Sequence, residues 1–124
     1  MIKDFQTLLA YQKAFRLAVK IHTMSCNFPK EEKYALADQI RRSSRSICAN
    51  IAEAYRKRLF PKHFISKLTD ADSETAETMV WLDFSLEFLY LDLKEHKELS
   101  NEYEEVGRLL NYMMANPSRF LSKT

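Results

Sequence analysis

Three histidines (His22, His63, His96), two cysteines (Cys26, Cys48) and three closely spaced serines (Ser43, Ser44, Ser46) are the side chains here that most readily do chemistry. A di-metal carboxylate centre in a helical bundle needs Glu-x-x-His pairs projecting inward from two helices. None is present, because the residues three before the histidines are Val19, Phe60 and Leu93. His22 alone has the spacing of a haem ligand on a helix seam, a position where histidine more often makes a structural hydrogen bond. Two cysteines fall short of the roughly four ligands of a zinc site. Cys48 follows Arg45 by one turn but reads as a buried small residue rather than a reactive thiol. The serines have no paired base and no Gly-x-Ser-x-Gly elbow. A single glycine, Gly107, excludes a phosphate-cradling loop or a dinucleotide fingerprint. The chain therefore reads as not an enzyme, with no cofactor, metal or small-molecule substrate.

Charge is the more informative chemistry. The net charge is only +2, but residues 41–67 hold eight Lys or Arg against Glu53 alone, whereas residues 68–105 hold twelve acids against Lys94 and Lys97. Arg41, Arg42, Arg45, Arg56, Lys57, Arg58, Lys62 and Lys67 form a basic cluster that can contact RNA or DNA phosphates. The alternative is that basic and acidic stretches complement each other within or between subunits, on a scaffold that binds protein. Few aromatics interleave with the cluster, so base stacking is a minor expectation. Asn50 and Glu53 lie at the edge of an apolar seam, where polar groups need partners. They read as structural, bonding across to a neighbouring helix or subunit.

The elements that must position these groups are helices. Few breakers interrupt the chain, and Pro29, Pro61 and Pro117 divide it into long segments. Asp4 is a plausible cap for a first helix over about 5–25, with Leu8, Tyr11, Phe15, Ala18 and His22 on one stripe and Ala10, Ala14, Leu17, Ile21 and Met24 on another. Pro29 with Glu31 and Glu32 opens a second helix over about 30–58. Its seam is Ala37, Ile40, Ser44, Ile47, Ile51 and Ala54, alternating three and four residues apart. Pro61 starts a third over about 61–91, with Leu68, Ala71, Thr75, Met79, Leu82, Leu86 and Leu89 at core spacing. A further stripe of Trp81, Phe84, Phe88 and Leu91 is surplus apolar surface and predicts self-association. The fourth, over about 96–115, uses Leu99, Tyr103, Val106, Leu110 and Met113, and a frayed tail is expected over 116–124.

Four helices with short connections and no strand signal predict an all-α, up-down-up-down antiparallel four-helix bundle, a single domain spanning 1–124. The N-terminus does not look like a signal peptide, and no stretch reaches the ~18–20 uncharged residues of a bilayer span. The expectation is a cytoplasmic protein with no membrane partner.

At Gln39-Ile40-Arg41-Arg42, Ser46-Ile47 and Asn50-Ile51-Ala52-Glu53 the sequence resembles the four-helix-bundle proteins encoded in intervening sequences of bacterial 23S ribosomal RNA genes. Asp4-Phe5 with Leu8 and Gln12-Lys13-Ala14, then Phe28-Pro29 with Glu32 and Tyr34, extend the likeness. Phe64, Leu68, Ala71, Glu77 and Leu82 carry it further along. Ala54 stands where glycine is common and Cys48 where many members carry proline, which implies a straighter second helix. The resemblance implies a ring-like homopentamer without known catalytic activity. It also implies a similarity in fold to the accessory proteins of diversity-generating retroelements, where a basic pentamer engages nucleic acid.

Overall fold

A computed structural model describes residues 4–121 and contains four α-helices with no strand among the described residues: α1 (Leu9–Ser25), α2 (Leu36–Arg56), α3 (Pro61–Glu87) and α4 (Leu93–Ala115). At about 1.5 Å per residue they are about 26–40 Å long. Successive helices are antiparallel, as their contacts require. Asp4 meets Arg56 while Ser25 meets Arg41. Asn50 meets Lys67 while Ser43 meets Thr78, and Asp83 meets His96. Contacts run α1–α2, α2–α3, α3–α4 and α4–α1, with the α2–α3 seam the most extensive.

The predicted seams are the core. All six seam residues of α2 are buried, as are Leu99, Tyr103, Val106, Leu110 and Met113 of α4. On α1 the stripe of Ala10, Ala14, Leu17 and Ile21 is buried, whereas Phe15 and His22 of the other stripe are exposed. On α3, Leu68, Ala71, Thr75 and Leu82 are buried, but Leu89 is 86% exposed.

The helix ends differ from the sequence expectation for reasons of capping. The Asp4 carboxylate accepts from the Phe5 amide at 2.7 Å and caps a 3-10 turn, Phe5–Thr7; extended backbone at Leu8 then separates that turn from α1. After Pro29 the chain makes another 3-10 turn, Lys30–Glu32, and α2 starts only at Leu36, whose amide donates to the Glu32 carboxylate at 3.3 Å. Glu32 also accepts from the Tyr90 hydroxyl at 2.7 Å, tying the start of α2 to the α3–α4 connection. At the other end of α2, Arg58 folds back to donate to the Tyr55 carbonyl at 3.0 Å with its guanidinium 4.1 Å from the Tyr55 ring. That satisfies an end carbonyl at the negative pole of the helix.

α3 stops at Glu87, not near 91. The Leu89 amide bonds the Leu86 carbonyl at 3.0 Å and the Tyr90 amide reaches the Ser85 carbonyl at 2.8 Å, with Leu89 at φ 65°. This is a Schellman closure with leucine where glycine is the usual residue. Asp92 then accepts from the Glu95 amide at 2.7 Å, so α4 begins at Leu93 rather than 96. The start of the expected frayed tail is instead a 3-10 turn, Pro117–Phe120, whose Phe120 ring packs 5.9 Å from Phe64. Residues 122–124 of that tail lie outside the described residues.

Candidate interaction surfaces

The eight basic residues do not form one patch. Arg41 turns toward the end of α1 and donates from Nε to Ser25 Oγ at 2.6 Å. Arg45 lies 3.1 Å from His22 Nδ1, also on the α1–α2 seam. Arg42 pairs with Asp38 one turn earlier at 3.0 Å and stays exposed. Arg56 grips both oxygens of Asp4, with Nε 3.1 Å from Oδ1; the Arg56 hydrogen bond is the largest influence on Asp4 and holds its carboxyl below the usual value. Arg58 is 7% exposed, so it is not part of an accessible cluster. Lys57 and Lys62 are exposed at the α2–α3 end of the bundle.

Lys67 is drawn into a structural contact. Its ammonium sits 2.7 Å from Glu53, 3.3 Å from Asn50 Oδ1 and 3.8 Å from Asp70. The hydrogen bond to Glu53 raises its pKa. Asn50 also donates to the Ser46 carbonyl at 3.0 Å. The motif pair Asn50 and Glu53 thus joins α2 to α3 through a cation supplied by α3. Farther along the same seam, the Thr78 hydroxyl donates to Ser43 at 2.8 Å, with both residues fully buried. The small hydroxyls of α2 let α3 approach and then bond to it.

The aromatic row on α3 is a surface feature. Trp81 and Phe84 rings are 6.0 Å apart and Phe84 and Phe88 rings 5.9 Å apart. Phe84 is 44% and Phe88 50% exposed. With Ala35, Leu36 and Gln39 they border an open cavity of about 350 Å³. The Trp81 indole N–H is buried with no acceptor among the described residues. Leu91 does not belong to this row: because α3 ends early, Leu91 turns inward and is 6% exposed.

Two surfaces had little sequence signal. Between α1 and α2, a groove of about 370 Å³ is lined by Tyr11, Phe15, Ala18, Val19, His22, Arg45 and Cys48. The stripe Tyr11, Phe15, Ala18 and His22 is legible in the sequence, but nothing there says that the neighbouring helix leaves it uncovered. Burial pushes the Cys48 thiol up to about 11, so it does not offer a thiolate at neutral pH. Between α1 and α4, a wider cleft of about 740 Å³ has Met24 and Leu99 among its lining residues, with Lys20, Glu98 and Glu102. Burial would raise the Glu102 carboxyl, but hydrogen bonds from Lys13 and Lys20 bring it below its ordinary value. Among the described residues no group of three or more His, Cys, Asp or Glu side chains is placed to hold a metal.

The four-helix fold has known counterparts. Residues 6–112 match the family described as 23S rRNA-intervening sequence protein. The chain belongs to that family. A solved structure from Bacteroides thetaiotaomicron, described as a protein with unknown function from the S23 ribosomal protein family, is 30% identical with a TM-score of 0.78. The likeness covers 86% of this chain and 96% of that one. No curated protein matches the sequence. Neither description names an enzymatic activity. No helix among the described residues is long and apolar enough to cross a membrane.

Proposed function

We propose that this intervening-sequence family protein is a non-enzymatic, cytoplasmic scaffold, a single bundle domain whose first partner is its own chain. The observation that carries this reading is the row Trp81, Phe84 and Phe88, each ring against the next along α3, with Trp81 half-buried and the two phenylalanines exposed. Exposed apolar surface that is contiguous, not scattered, marks an association site. The open groove along Tyr11 and Phe15 is a second such surface. The stoichiometry we propose is the pentamer that the family resemblance implies. Light scattering on the purified chain tests the reading. A mass that is a multiple of 14.6 kDa, lost in Phe84→Ser/Phe88→Ser with helical circular dichroism intact, supports it. A wild-type mass of one chain at tens of micromolar overturns it.

A second reading, contact with RNA or DNA phosphates, now rests on fewer residues. Arg41, Arg56, Arg58 and Lys67 are engaged within the chain, Arg42 pairs with Asp38 and Arg45 meets His22, which leaves Lys57 and Lys62 at the end of α2. No ion pair engages Lys57 or Lys62 among the described residues, and that favours the bundle end as the contact. Binding there would fall steeply with salt. Fluorescence anisotropy of labelled RNA and DNA at several salt concentrations checks it, and unchanged binding by Lys57→Glu/Lys62→Glu excludes that end.

A further inference from the structure

The association face of α3 carries acids as well as aromatics. Glu74 and Glu77 precede Trp81 by about two turns and one turn, and neither meets a cation among the described residues, since Lys67 is taken by Glu53 and Asp70. Burial, together with the neighbouring charges of Glu77 and Asp70, pushes the Glu74 carboxyl up. The opposite deficit lies on the α1–α2 seam. The Arg45 guanidinium faces His22 and that of Arg41 faces Ser25 and Cys26, so neither has a carboxylate partner among the described residues.

Of these groups, Glu74, Glu77 and Arg45 stand at one height along the bundle. The Thr78–Ser43 hydrogen bond sets α3 and α2 level at those residues. Because the two helices are antiparallel, Glu77 lies about 1.5 Å and Glu74 about 6 Å beyond that level, with Arg45 about 3 Å beyond it, between them. Two copies standing side by side with parallel axes would therefore bring Arg45 against both glutamates without sliding. Arg45 borders the open groove with Tyr11 and Phe15, which supplies apolar surface beside the charge.

We infer that the partner of the α3 face is the α1–α2 seam of a second copy of this chain, with Glu74 and Glu77 of one subunit meeting Arg45 of the next. The inference rests on the self-association reading above and adds which surfaces meet. Because the surfaces differ, the contact is heterologous. Both border α2, on adjacent faces of the bundle, so each added copy turns relative to the last.

Sedimentation velocity on charge-reversal variants tests the pairing. Arg45→Glu and Glu77→Arg should each weaken association by about 10-fold or more, because like charges then face each other across the contact. The chain carrying both reversals should recover. Arg45→Gln, which removes the charge without reversing it, should weaken association less than Arg45→Glu. Circular dichroism must show all variants helical. Association unaffected by either reversal, or not recovered in the double variant, overturns the pairing. If Phe84→Ser dissociates the protein while the charge reversals do nothing, the α3 face meets a surface other than the Arg45 seam: the pairing fails and the self-association reading survives. A wild-type protein of one chain overturns both.

Discussion

The α2–α3 seam and the α1–α2 seam share a helix but are finished differently. Along α2–α3 the polar groups have been used up: Ser43 receives Thr78, and Asn50 and Glu53 share Lys67. Along α1–α2, Arg41 and Arg45 reach a hydroxyl and an imidazole, not carboxylates, beside an open apolar groove. Small residues allow helices to close until specific bonds form, and the seam is then complete within one chain. Aromatic and arginine side chains hold the surface open and leave apolar area and charge to be matched from outside.

The contrast can be broken most severely from inside the closed seam. Ile47 is fully buried on α2, and Ile47→Ala is expected to cost about 2–5 kcal/mol in urea unfolding. Phe15→Ala in the open groove should barely change unfolding of the dissociated chain, because Phe15 is 51% exposed. Equal losses at the two positions would mean that the groove is part of the core.

Two substitutions should stabilise. Leu89 holds φ 65° with 86% of its surface exposed, and Leu89→Gly is expected to add about 1 kcal/mol by relieving left-handed strain. Its midpoint in urea checks this, and a loss would show that the leucine side chain earns its place by a contact. Tyr103 is fully buried and its hydroxyl has no partner among the described residues. Tyr103→Phe should gain up to about 1 kcal/mol, since an unsatisfied buried hydroxyl is removed.

The smallest expected effect is one of pH. The folded pKa of Glu74 is raised above its ordinary value of 4.5, first by burial and then by Glu77 and Asp70. A raised carboxyl favours folding fully below the unfolded value and loses that advantage as pH rises through the folded value. Melting curves of the dissociated protein should therefore show Glu74→Gln gaining on wild type as pH climbs above 4.5. In the assembled protein an arginine against Glu74 should reduce or reverse that gain. Asp4 works in the opposite sense. The Arg56 bond lowers its folded pKa below 3.8, so its contribution is present above that value and lost on further acidification.

The seams were legible because burial imposes a three-four spacing on any helix that packs, and Ala37 through Ala54 obey it. The ends were not, because they depend on which side chain wins a cap. Glu32 reaches forward to Leu36, Asp92 captures Glu95, and Leu89 takes a conformation that its own type disfavours. Ending α3 at Glu87 is also what removes Leu91 from the aromatic row. How the basic residues spread over the surface was illegible for a related reason. Neighbouring letters in α2 and the turn after it point in different directions, so Arg41, Arg42, Arg56 and Arg58 have four different destinations, and a charge count cannot distinguish them.

The chain carries one tryptophan, Trp81, and it stands in the row on which self-association depends. The most direct measurement is its emission as the protein is diluted from tens of micromolar to nanomolar, with circular dichroism followed in parallel. A red shift on dilution with helix content unchanged is expected, as the row passes from a subunit contact into water. Emission independent of concentration, together with a mass of one chain, would contradict it.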